Sequence, residues 1–146
     1  MNKHITKSSA AVFLFALFVF FNSCTVQYVA EYDESVKNEI IRIAAQVETF
    51  YAELLEADST ERVYINFKDQ YLAIEVDLRT LLLRNKIRPL NEESTKQSEI
   101  ALELWVDDKE QHKNENTVSN FIINLHRKQF QRIFIAMAKG ESIKEE

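Results

Sequence analysis

The stretch DESVKNEIIRIAAQVETFYAELLEA, residues 33–57, places Val36, Ile40, Ile43, Val47, Phe50 and Leu54 at spacings of four and three. That spacing puts all six on one stripe of an α-helix, the seam of helices packed at shallow angles. Tyr51 and Leu55 widen the stripe beyond a two-position seam, which favours a bundle over a two-stranded coiled coil. Asp33 can cap the first turn, and Glu34 adds negative charge where the helix dipole favours it.

Outward from this helix, the same spacing predicts three more. Asp58, Ser59 and Thr60 make a polar break, and a second helix is expected from Glu61 to Lys86 on Tyr64, Phe67, Tyr71, Ile74, Leu78 and Leu81. Pro89 ends it, because the residue before a proline is pushed away from helical angles. Asn91 can cap a third helix whose narrower apolar face is Ile100, Ala101, Leu104 and Trp105, with the polar run Asp107–Asn116 expected as a loop. A fourth helix is expected from Asn116 or Thr117, on Val118, Phe121, Ile122, Leu125, Ile133, Phe134 and Met137, with Gly140 stopping it.

Gly140 is the single glycine and Pro89 the single proline. Sheets need turn residues at each hairpin, mostly glycine, asparagine or aspartate at special angles, so the near absence of glycine disfavours a many-stranded fold. The expected fold is all-α: an antiparallel, up-down-up-down four-helix bundle, with short breaks making consecutive helices neighbours. Helices of this length make a body roughly 30–38 Å long.

Ahead of the bundle stands a leader. Lys3, His4 and Lys7 precede an apolar run from Ala10 to Phe21, and Asn22 and Ser23 lead to Cys24, the only cysteine. A positive segment, a short apolar segment and a small residue make a secretory signal peptide. The run falls short of the roughly 20 residues a membrane span needs, which disfavours a permanent transmembrane anchor. A cysteine directly after Ser23 resembles a bacterial lipoprotein signal, although Phe21 and Asn22 depart from the Leu and small residue usual there. The resemblance implies cleavage before Cys24, a diacylglycerol on its sulfur and acylation (palmitate or a similar chain) of the new N-terminus. An ordinary secretory leader cut elsewhere is the competing reading, but it leaves a lone thiol without a partner. The organisation is then residues 1–23 as signal peptide, 24–32 as tether and 33–146 as bundle. Thr25, rather than Asp, follows the cysteine, which by the same resemblance points to the outer membrane, facing the periplasm.

Charge excludes one class of partner. The whole chain carries −5, and losing Lys3 and Lys7 with the leader makes the remainder −7. A nucleic-acid partner calls for the opposite sign. Anionic lipid would not hold such a chain either, so acyl chains on Cys24 would have to do so.

No catalytic constellation stands out. A di-iron bundle needs Glu-x-x-His pairs, but Lys109 stands three before His112 and Ile123 three before His126. Asp108 and His112 could share a helix face, yet two ligands do not make a metal site. The lone glycine leaves no phosphate-cradling loop, and no nucleophile stands beside a recognisable base. The expectation is therefore no enzyme, no cofactor and no metal. His126, Arg127, Lys128 and Arg132 form a basic stretch that could meet an acidic partner or simply be a solvated face. Trp105 is a candidate for the same surface, since tryptophan and arginine are enriched at binding hot spots, or else a core residue. Asp77 and Arg84 flank Leu78 and Leu81, either as a recognition pair or as polar groups tying helices together.

The run Val76-Asp77-Leu78, then Leu81, Leu83, Arg84, Pro89, Asn91 and Gln97, with Tyr32-Asp33 shortly after the cysteine, is similar to a group of small bacterial lipoproteins. The resemblance implies an exported helical lipoprotein and carries no catalytic residue. The functional expectation is a lipid-anchored envelope protein that acts by binding, as an accessory or scaffold subunit. A carrier of a small ligand and an immunity-type inhibitor are the alternatives, and the oligomeric state stays open.

Overall fold

The structure, a computed structural model, describes residues 29–145; the leader and Cys24 lie outside them. Four helices make up the described chain: α1 Glu34–Glu56, α2 Tyr64–Lys86, α3 Glu92–Glu115 and α4 Asn120–Ile143. α1 packs most closely on α4 and α2 on α3, while α1–α2 and α3–α4 close the ring. Arg88, after α2, reaches Glu141 near the end of α4, and Arg62, before α2, reaches Asn120 at the start of α4. Consecutive helices therefore run in opposite directions, as an up-down-up-down bundle requires. The end where the described chain enters, at Val29, is the entry end; the other is the far end.

α1 matches its sequence reading. The Asp33 carboxylate accepts from the N–H groups of Ser35 and Val36, and Val36, Ile40, Ile43, Val47, Phe50, Tyr51 and Leu54 are buried. At the centre of the core the Phe50 ring meets Tyr51, Tyr71 and Trp105 edge-on, at centroid separations of 5.2, 4.5 and 5.0 Å. Such pairs contribute about 0.5–1.5 kcal/mol each beyond the area they bury.

Four boundaries differ from expectation. α2 begins at Tyr64 rather than Glu61, because Arg62 turns inward to cap α1. Its Nε donates to the Ala57 carbonyl (3.0 Å) and Nη2 to that of Leu55 (3.1 Å). Asp107–Asn116 is not a loop: α3 continues to Glu115 and ends at Asn116, whose left-handed φ of 51° suits an asparagine C-cap. The Asn116 side chain in turn accepts from the Tyr64 N–H (3.1 Å), supplying the cap α2 lacks locally. α4 starts after Ser119, whose Oγ accepts from Ile122, and runs past Gly140 to Ile143. Gly140 is an interior helix residue there, not a stop.

The seams of α3 and α4 are also shifted. α3 buries Ser98, Ala101, Leu102, Trp105 and His112, leaving Ile100 exposed. α4 buries Ile123, Phe130, Phe134, Met137 and Glu141, leaving Phe121 and Leu125 on the outside.

Candidate functional site

Trp105 is fully buried, and its Nε1–H donates to the Tyr71 carbonyl at 3.0 Å. It belongs to the core and is corrected out of the candidate surface. Asp77 and Arg84 do not pair with each other; both reach α1. Asp77 binds Arg42 at 2.9 Å, and Arg84 binds Glu39 and the Ser35 hydroxyl. The hydrogen bond from Arg42 lowers the Asp77 pKa, with burial opposing it. They are the polar groups that tie α2 to α1.

The basic stretch divides in three, with His126 turned to Asp108. Arg127 occupies a seam position of α4, four residues after Ile123 and three before Phe130, and its Nε donates to Glu48 of α1 at 2.8 Å. That bond lowers the Glu48 pKa and raises that of Arg127. Lys128 and Arg132 instead point outward. Phe121, Leu125, Lys128, Arg132, Ile135 and Lys139 follow one another at spacings of four and three, and all six are exposed. They form one stripe along the outer face of α4, three apolar and three basic groups in the order Phe, Leu, Lys, Arg, Ile, Lys. Among the described residues none of its three cations makes an ion pair, and the only carboxylate in α4 is the buried Glu141. Beside the stripe, Ile41, Ala44, Ala45, Phe134, Ile135 and Ala138 line a groove of about 460 Å³ between α1 and α4.

A second feature lies at the far end. Tyr51, Tyr71, Asp108, His112 and His126, with Thr117 and Ser119, line a cavity of about 150 Å³. His112 Nε2 is 2.9 Å from the Arg62 carbonyl, so that nitrogen carries the proton; Nδ1 then accepts from the Tyr71 hydroxyl at 3.2 Å. Burial lowers the His112 pKa, and the Arg62 carbonyl only partly opposes that, so the neutral ring is favoured. Burial also raises the pKa of both tyrosines, with Asp108 adding to the effect, which keeps them protonated donors. Tyr51 donates to Asp108 Oδ2 at 2.5 Å, and His126 Nδ1 lies 2.9 Å from the same oxygen.

Asp108 stands apart from the other well-buried carboxylates. Glu39 holds Arg84, Glu75 holds Arg79 and Lys109, and Glu141 holds Arg88 and Lys144. Asp108 is as buried as Glu39 and Glu75, yet its partners are a tyrosine and a histidine. Sequence reading placed Asp108 and His112 on one face, took Tyr51 and Tyr71 as apolar-face residues and His126 as part of the basic stretch, and did not bring the five together. The available signal was position: Ser98, Ala101, Trp105, Asp108 and His112 run at spacings of three and four, so the two polar residues continue the seam inward.

Among the described residues no group of three or more His, Cys, Asp or Glu side chains is placed to hold a metal ion. No described helix is long and apolar enough to cross a membrane. No family model matches the chain, and no curated protein or solved structure is significantly similar to it.

Proposed function

We propose that this chain is a lipid-anchored envelope protein that acts by binding, as an accessory subunit held to the outer membrane through acyl chains on Cys24 and facing the periplasm. The leader and its similarity to lipoprotein signals support the anchor. The observation that carries the binding role is the outer stripe of α4. A chain of net acidic charge concentrates Lys128, Arg132 and Lys139 on one exposed line, interleaved with Phe121, Leu125 and Ile135. Basic groups on such a surface select partners by charge, and the apolar groups supply area to bury. The partner this fits is an envelope protein whose surface sets carboxylates along an apolar ridge.

The test uses a photocrosslinking side chain placed in cells at Leu125 on α4 or at Ile100 on the outer side of α3. One envelope protein should be captured from Leu125 and not from Ile100. Lys128→Glu with Arg132→Glu should abolish capture, and reversing carboxylates on the captured protein should restore it. Equal capture from both faces, or capture that survives charge reversal, rules the reading out. Separately, Cys24→Ser should free the protein from membranes or leave it unprocessed; processing and flotation as before would sink the anchor.

The far-end cavity favours a second reading, a carrier of a small organic cation. Asp108 lines this cavity beside two tyrosine rings, held by Tyr51 and His126 rather than by a lysine or arginine, so a cationic ligand would add a full counter-charge. Native mass spectrometry of protein purified from its own membranes checks this. Bare polypeptide plus acyl groups alone would count against it.

A further inference from the structure

We infer that the entry end of the bundle rests on the bilayer surface, with Ile87, Leu90, Val29 and Ile143 in contact with lipid. The inference rests on the reading of Cys24 as the anchor. These four side chains are 74, 45, 54 and 68% exposed, and all belong to the end where the chain enters. Ile87 and Leu90 lie in the α2–α3 connection, and the Ala30 N–H donates to the Leu90 carbonyl at 2.9 Å, bringing Val29 alongside. Ile143 ends α4, and Lys144 next to it reaches Asn91 and Ser94 at the start of α3.

Leu90 adds an independent sign. Its φ is +56°, a left-handed conformation that glycine adopts without steric cost and a leucine rarely does. A glycine would serve the backbone of this turn better. Leucine instead puts an exposed apolar side chain at the tip, against the local preference.

Reach decides what covers it. Five residue steps separate Cys24 from Val29, at most about 18 Å when fully extended. The far end, with its own exposed Ile65 and Phe121, is a helix length of about 34 Å further off. Only the entry end is held within reach of the membrane that carries the acyl chains. Its charges also specify the lipid. Glu31, Glu34, Glu92 and Glu93 are exposed there, while Arg88 and Lys144 are committed to Glu141 and Lys86 to Glu99; Lys37 and Lys139, the latter unpaired among the described residues, stand a turn back from the rim, and the balance stays acidic. Such a rim matches neutral or zwitterionic headgroups and is repelled by anionic ones.

The experiment uses full-length, acylated protein in phosphatidylcholine vesicles with or without brominated acyl chains, carrying Leu90→Trp or, as the far-end comparison, Phe121→Trp. Ile87→Trp is a second entry-end probe should Leu90→Trp fail to fold. The buried Trp105 supplies a constant background. The entry-end tryptophan should emit to the blue and be quenched about two-fold, as insertion to the acyl boundary requires; the far-end tryptophan should be unaffected. Adding phosphatidylglycerol should weaken the quenching. Unquenched entry-end tryptophans on protein that floats with the vesicles and has the mass of acylated Cys24 overturn the docking and leave the anchor standing. Quenching at Phe121 overturns it in favour of a bundle lying on α4. Protein that lacks the acyl mass and does not float refutes the anchor, and the docking falls with it.

Discussion

The two ends of this bundle solve the same problem with different chemistry. Each must satisfy polar groups where four helices start and stop. At the entry end the solution is ionic and saturated. Glu141, 1% exposed, accepts from Arg88 Nη2 (2.7 Å) and Nη1 (3.2 Å), from Lys144 Nζ (2.6 Å) and from the Asp33 N–H (3.0 Å). Asn85, Asn91 and Ser98 extend the same network through bonds of 2.7 and 2.9 Å. At the far end hydrogen bonds to neutral partners predominate: Arg62 caps carbonyls, His112 links Tyr71 to a backbone oxygen, and Asp108 is held by Tyr51 and His126 without a lysine or arginine. A saturated ionic cluster fixes how helices meet, while a neutral network around a cavity can exchange partners. The two ends should therefore respond differently to the same perturbation.

The largest difference is expected on removing a cation. Arg88→Ala leaves Glu141 buried with half its compensation gone, and breaking a buried pair in this way costs about 3–5 kcal/mol. Arg62→Ala at the far end removes hydrogen bonds to two carbonyls and to Asn120 but strands no charge. The expected loss there is about 1–3 kcal/mol. Chemical denaturation of both variants measures the gap. Equal losses would show that the far end depends on charge as much as the entry end does.

The same contrast explains what was legible in the sequence. The seam of α1 is apolar from Val36 to Leu54, so periodicity located both the helix and its buried face. α3 and α4 place Ser98, Asp108, His112, Arg127 and Glu141 at seam positions. Because each is polar, the apolar pattern breaks: α3 reads as a loop from Asp107, and the face of α4 runs through Phe121 and Leu125 instead of Ile123. Polar residues inside a bundle are buried only because partners on other helices satisfy them, and partnership across the fold has no local signal. The cations of the candidate surface were visible, but that Arg127 is tied to Glu48 while Lys128 and Arg132 face outward depended on the corrected register.

Acid should open the far end first. His112 has a folded-state pKa below its ordinary value of about 6.5, because burial among Tyr64, Phe67 and Tyr71 disfavours the cation. Above that pH both states are neutral there and the full stability is present. As pH falls below it, the unfolded chain takes up a proton that the folded ring resists, and stability declines. Glu141 behaves oppositely in range. Burial alone would raise its pKa, but Arg88, Lys144 and the Asp33 N–H lower it, so its contribution persists until the pH falls below the ordinary carboxylate range. Between about pH 6.5 and 4.5, the protection of amides at the start of α2, taken relative to the intrinsic exchange rate at each pH, should fall while that around Asn85 and Ser98 holds. His112→Gln should remove this acid-sensitive phase. Simultaneous loosening of both ends would contradict the separation.

Gly140 offers the smallest and most local change. It lies one residue before Glu141, inside α4 rather than after it, and it does not have positive φ. An added Cβ would meet only the Gln97 amide, at 3.7 Å for its oxygen, which is ordinary van der Waals contact. The position therefore bears the entropic cost of a helical glycine with no steric reason for it, and Gly140→Ala should stabilise the protein by about 0.5–1 kcal/mol. The gain should appear as slower exchange in the last turn of α4 and its partners in the Glu141 cluster, with the far end unchanged. A gain spread evenly over both ends would mean that the bundle opens as one unit, and the contrast between its ends would then be chemical without being energetic.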